Sequence, residues 1–233
     1  MSLLKNILSD TLQLFYPHIC NGCSSDILPD KNLLCLKCIH DLPYTGFARY
    51  PNNPVEKYFW GRLPLTAAHS EFYFEKDGLI QHLIHQLKYK GNTAIGTYLG
   101  ELMGRSLLNS DRFNTADALI PLPLYAEKER QRGYNQAAVI CQGISSAMNI
   151  PVLVGNVVRR RSTETQTRKH RAERWQNVME SFGIQNMRSL AGKHLLLVDD
   201  VLTTGATLEA CGQVILQAKD VTLSIAALAH ASK

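Results

Sequence analysis

The sequence predicts an α/β fold: an open, mostly parallel sheet flanked by helices, behind a small cysteine-rich module at the N-terminus. Three observations carry this. Apolar runs at 118–124 and 195–198 each end in a polar loop and pass into an apolar stripe at helical spacing, so the strand–loop–helix unit is written twice. Four cysteines fall in two C-x2-C pairs ahead of both. A chain of 233 residues is long enough for one sizeable domain plus a small module. The expected division is a module over 1–45 and a sheet domain over 46–233.

Composition narrows the class. Hydrophobic content of 45% and charged content of 19% exclude a disordered or purely polar chain. The net charge of +5 is concentrated: residues 159–174 carry seven Arg or Lys against two Glu, a local +5, leaving the rest near neutral. A concentrated basic segment argues for a phosphate-bearing or polyanionic partner. No run of about twenty apolar residues is present, so no stable membrane insertion is expected, and the absence of a cleavable leader pattern points to a cytoplasmic protein.

Taken in order, Leu4, Ile7, Leu8, Leu12 and Phe15 fall on one face of a short helix. Cys20, Cys23, Cys35 and Cys38 follow. Each pair supplies two thiolates from one tight turn, the donor set and spacing of a tetrahedral, structural zinc site with no position left for water. Disulfides compete with this reading, but nothing marks the chain for an oxidising compartment. Cys141 and Cys211 sit in apolar helical patterns and read as core residues. Residues 41–75 read as a connector rich in Pro, Gly and Asn, ending in a strand at TAAHSEFYFE.

From Asp77 to Leu108 the pattern is helical, broken at Lys88-Tyr89-Lys90-Gly91. His82 and His85 have a metal-compatible spacing but no third partner, and read as surface or packing residues. Ala118 to Leu124 reads as a buried strand, followed by a loop with Arg130, Arg132 and Gly133 and a helix from about Asn135. In an open parallel sheet, ligands collect where such loops leave the carboxyl ends of strands. Val152 to Val158 reads as a third short strand opening onto the basic segment, which reads as a solvated face, a lid over a phosphate-bearing substrate, or a nucleic-acid tracker with Trp175 and Phe182 available to stack.

The most informative stretch is HLLLVDDVLTTGATL, residues 194–208. Leu195 to Val198 lead into Asp199 and Asp200, then Thr203, Thr204, Gly205, Ala206 and Thr207 open a helix. Small and hydroxylated residues at a strand-to-helix turn let backbone amides face a phosphate. No lysine follows the glycine, which excludes a Walker loop, and the dinucleotide glycine pattern is absent. Two acids ahead of a phosphate cradle suit a ribose 5-phosphate, the carboxylates accepting from the 2- and 3-hydroxyls.

VDDVLTTGAT resembles the phosphoribosyl pyrophosphate motif of type I phosphoribosyltransferases. The wider chain resembles the ComF family, associated with competence and DNA uptake, through the CxxC pairs, LKYKG at 87–91, IPLPL at 120–124, RQRGYNQA at 130–137, Thr163 to Gln166 and RWQNV. The resemblance implies that Val198, Asp199, Asp200 and Thr203 to Thr207 bind phosphoribosyl pyrophosphate. It implies that the two acids stabilise the cationic ribose centre, and that Lys88, Arg130 and Arg132 contact the pyrophosphate with Mg²⁺. It also implies a flexible basic loop, with Arg159, Arg160, Arg161, Gln166, Arg168, Lys169, Arg171 and Arg174, that closes over the site. Two functions stay open: phosphoribosyl transfer to an unknown acceptor, or ligand sensing by a non-catalytic protein that binds single-stranded DNA or a helicase-type partner of DNA uptake.

Overall fold

The computed structural model describes residues 18–26, 28, 32–160 and 181–231. The chain divides into two compact units, Met1–Leu42 and Pro43–Lys233. The expected helix through Leu4 and Phe15, and the basic residues Arg161 to Arg174 with Trp175, lie outside the described residues. Among the described residues, no helix is long and apolar enough to cross a membrane.

In the first unit, a turn at Asn21–Cys23 and helix α1 (Leu36–His40) present the two cysteine pairs. The Asn21 backbone and side-chain N–H groups both donate to the Leu33 carbonyl, at 3.0 Å each. That tie brings the first cysteine turn against the chain entering the second.

The second unit is built on a four-stranded sheet in the order β1 (Ala67–Tyr73), β6 (Thr222–His230), β5 (His194–Leu202), β2 (Ala118–Pro121). Every adjacent pair is parallel. The middle strands are apolar because both faces are covered: Leu195 to Val198 and Leu223 to His230 are all buried. Between the strands run α3 (Leu79–Tyr89), α4 (Thr93–Leu108), α5 (Ala126–Arg132), α6 (Gln136–Met148) and α7 (Ala206–Ile215). A separate antiparallel pair joins β3 (Val157–Arg159) to β4 (Phe182–Ile184).

Helices α4 and α6 meet backbone to backbone. A Cβ added at Gly100 would stand 2.2 Å from the Ile140 carbonyl oxygen, and one at Gly143 would stand 2.0 Å from that of Thr97. The spacing of Gly96, Gly100 and Gly104 lays one smooth stripe along α4, which lets the two helices approach this closely.

Three expectations are corrected. The 41–75 stretch is not a connector up to its strand. Residues 47–49 form a 3-10 turn, α2 (Pro54–Lys57) follows, and Val55 and Phe59 enter the core beneath the sheet. Asn53 binds this segment down, its amide donating to Phe47, Tyr50 and Ala68 carbonyls. The breakers mark tight turns there because large apolar residues between them have a core to fill. The third strand over Val152 to Val158 is split: Val152 makes one parallel bridge to Leu119, a turn follows at Val154-Gly155, and the remainder is β3 in the other sheet. Gly155, at φ 75°, takes the conformation that interrupts the run. The segment carrying Arg130 and Arg132 is helical, as α5 ends in a left-handed Gly133.

Candidate functional site

Strand β5 does not stop at the apolar run. It continues to Leu202, so Asp199 and Asp200 stand within its carboxyl-terminal part and point to opposite sides by the strand's period of two. Their neighbours differ accordingly. Lys88, in the last turn of α3, donates to Asp200 Oδ1 at 2.9 Å, with the two side chains 22% and 13% exposed. Asp199 Oδ1 accepts from the Asp200 backbone N–H at 2.8 Å. Burial, and then the charge of Asp200, push the Asp199 carboxyl up to about 7, against the pull of Lys88 and Arg159.

The loop after β5 exposes Thr203 and Thr204, and Gly205 caps α7 in the left-handed region at φ 74°. Glycine is required there twice over, because an added Cβ would also come within 3.1 Å of the Phe59 ring. No side chain caps α7, so its first amides face the loop, where the helix dipole favours an anion. The Ala206 N–H lies 3.5 Å from Thr204 Oγ1. Glu209, in the same first turn, is buried and paired with Arg62, which keeps its charge out of the cradle.

The structure joins motifs far apart in the chain. Arg132 lies over the Tyr89 ring, 5.4 Å from its centre, one residue on from the lysine that holds Asp200. Arg130 is exposed on the same short helix. Tyr134 donates its hydroxyl to the Leu87 carbonyl, fixing the end of α3 to the turn before α6. Asn135 caps α6 through Ala137 N–H at 2.9 Å and donates to the Leu122 carbonyl at 3.0 Å. Sequence reasoning missed the roles of Tyr134, Asn135 and Phe59. Only Asn135 left a local signal, a capping residue directly ahead of an apolar helical stripe.

Two residues expected in the flexible basic loop take other places. Arg159 ends β3, half-buried over the Phe182 ring at 5.5 Å, and burial lowers its pKa. The Arg160 backbone N–H donates to the Ser181 carbonyl at 2.6 Å. Phe182 is buried in β4 and packs in the core, so it is not free to stack on a base. Among the remaining histidines, His82 contacts Gln86 at 2.9 Å and His85 packs on the Tyr89 ring, as packing residues would.

In the N-terminal unit the sulfur atoms of Cys20, Cys23, Cys35 and Cys38 all lie within 4.8 Å of one another. Cys23 and Cys35 are 3.7 Å apart, close to the edge of about 3.8 Å that four sulfurs at zinc–sulfur bond length define. Backbone N–H groups of Gly22 and Cys35 point at Cys20 Sγ, at 3.4 and 3.2 Å. Burial raises the Cys20 thiol, but the N–H groups around it outweigh that and bring it down to about 6, while burial and the neighbouring sulfurs push Cys38 up. All six cysteines are free, and Cys141 and Cys211 are buried as core residues. The cluster fits a structural zinc ion.

The mostly parallel sheet flanked by helices is a phosphoribosyltransferase-like fold. Residues 135–232 match the family model described as phosphoribosyl transferase domain. Over most of its length the chain is also similar to curated proteins named for DNA utilization and competence. It is similar to DNA utilization protein YhgH of Shigella flexneri, 29% identical over 89% of this chain and 88% of that one. It is also similar to Competence protein F of Haemophilus influenzae, 28% identical over 83% of this chain and 89% of that one. Competence protein ComFC of Bacillus subtilis is 31% identical over 42% of this chain and 38% of its own.

Proposed function

We propose that the carboxyl end of β5 binds phosphoribosyl pyrophosphate. The observation that carries this is the contiguity of Asp199 and Asp200 with the uncapped amino end of α7 at Gly205. Amides and hydroxyls of Thr203 to Thr207 hold the 5-phosphate, and the two carboxylates accept from the ribose hydroxyls. Lys88 and Arg132, with Arg130 on the same helix, face the pyrophosphate. Asp199 and Asp200, together with the substrate phosphates, would hold Mg²⁺, which would supply charge neutralisation for the leaving pyrophosphate.

On this reading the reaction is transfer of the phosphoribosyl group to an acceptor nucleophile. The bond from ribose C1 to the pyrophosphate oxygen breaks as the bond to the acceptor forms. Ionised Asp199 and Asp200 stabilise the positive charge that develops on the sugar. Lys88 has to leave Asp200 or share it when the ribose arrives. The test is titration of the protein with phosphoribosyl pyrophosphate and Mg²⁺, followed by pyrophosphate release across a panel of bases. Binding is expected to weaken at least tenfold in Asp199→Asn with Asp200→Asn; unchanged binding would overturn the site. Binding without base-dependent release would leave a ligand sensor and remove the transferase.

A second reading rests on the names of the relatives and on the local +5 of residues 159–174. In it the basic segment engages single-stranded DNA or a helicase-type partner of DNA uptake while the four cysteines hold zinc. Affinity for an oligonucleotide that falls steeply with salt, and less steeply after Arg159 to Arg161 are neutralised, is expected. No binding at low salt would sink it.

A further inference from the structure

A cavity of about 350 Å³ opens where β1, α4 and the 44–50 segment meet. None of its lining residues belongs to the acid pair, the threonine loop or the lysine. The volume falls in the range of small-molecule pockets. Its floor is polar and buried: His69 Nε2 lies 2.7 Å from Glu71 Oε2, with the side chains 1% and 2% exposed. Ser106 donates to the other carboxylate oxygen at 2.7 Å. His69 Nδ1 is buried with no hydrogen-bond partner among the described residues.

The mouth has a different character. Arg49 is exposed and has no acidic partner among the described residues, while Arg105 is paired with Glu101 on its own helix. The mouth therefore carries one uncompensated positive charge. Tyr44 and Tyr50 line it with rings largely open to solvent, and Tyr44 is braced from behind by Phe72 at 4.9 Å. Gly46 and Ala48 add no bulk between them.

A ligand that satisfies the mouth needs an anionic group for the uncompensated Arg49 and a planar face for the tyrosines. We propose that this cavity is a second small-molecule site, for a ligand of the nucleoside 5′-monophosphate class. Its phosphate sits at Arg49, with Arg105 beside it, and its ring lies on Tyr44 and Tyr50, above the closed His69–Glu71–Ser106 floor. The site is independent of the phosphoribosyl pyrophosphate reading, which concerns the end of β5, separated from β1 by β6.

The experiment is calorimetric titration of the full chain with adenosine 5′-monophosphate, adenosine and inorganic phosphate. The monophosphate is expected to bind at least tenfold tighter than either fragment. Arg49→Gln should weaken the monophosphate tenfold and leave adenosine unchanged, while Tyr50→Ala should weaken both. Both positions are solvent-exposed, so the variants are expected to fold. Because the monophosphate also carries the ribose 5-phosphate that the β5 loop is proposed to hold, the titration is repeated in Asp199→Asn with Asp200→Asn, where binding that depends on Arg49 is expected to persist. No binding of the monophosphate at millimolar concentration would overturn the proposal. So would phosphate alone binding as well as the monophosphate, or binding lost in the aspartate variant and kept in Arg49→Gln, which would assign it to the other site.

Discussion

Asp199 and Asp200 are neighbours in the chain and yet differ in surroundings: Asp200 is paired with Lys88, while Asp199 is dominated by burial and by the charge of Asp200. Because burial and Asp200 raise Asp199 to about 7 from 3.8, the folded protein binds a proton there that the unfolded chain has released between those values. The native state takes up more protons than the unfolded state across that window, so Asp199 makes stability fall as pH rises from about 4 to about 7. Asp199→Asn is expected to abolish that decline in urea midpoints measured over the window. Lys88→Met removes a charge that draws Asp199 down. It should move the upper edge of the decline to higher pH and cost about 1–3 kcal/mol for the carboxylate left unpartnered. A Lys88→Met profile identical to wild type would mean that the ion pair carries no weight.

The element that governs packing is the contact between α4 and α6, not the strand motif that draws attention in the sequence. Alanine at Gly143 would gain about 1 kcal/mol in helix propensity. It would also drive a Cβ to 2.0 Å from the Thr97 carbonyl oxygen, with the backbone N of Glu101 at 2.6 Å. Backbone cannot rotate out of the way as a side chain can, so the helices must separate, and overpacking of this kind costs about 1–3 kcal/mol or more. Gly143→Ala is therefore expected to lower the unfolding midpoint despite the better helix former. A raised midpoint would show that the two helices can slide apart freely.

At the scale of the molecule, the two units rest on different physics. The Pro43–Lys233 unit has an apolar core spread over the sheet and α7. The smaller unit has few buried apolar residues among those described, with Leu28 and Leu34 beside its cysteines. A unit that small is stabilised by cross-links or metal more than by burial. If zinc fills the cysteine cluster, a chelator should abolish amide protection around residues 20–40 and leave β5 and β6 protected. Elemental analysis should return one zinc per chain, falling to none in Cys20→Ser with Cys35→Ser. Equal protection with and without chelator would show that the unit holds itself together.

Much of the fold was legible in the sequence because its signals are local. Leu195 to Val198 could only be a buried strand, Gly205 marked the turn, and the cysteine pairs announced a common ligand set. The order β1-β6-β5-β2 was not legible, since parallel neighbours are far apart in the chain and no residue records which strand it will lie beside. The same holds for the site. The sequence by itself determined that two acids precede a glycine turn into a helix. Only the tertiary structure decided that Lys88, 112 positions away, would neutralise one of them, and that Tyr134 and Arg132 would gather at that same helix end. The reason is physical: a turn is specified by the dihedral preferences of a few adjacent residues, whereas an ion pair across the sheet exists only once the whole core has set the distance between its ends.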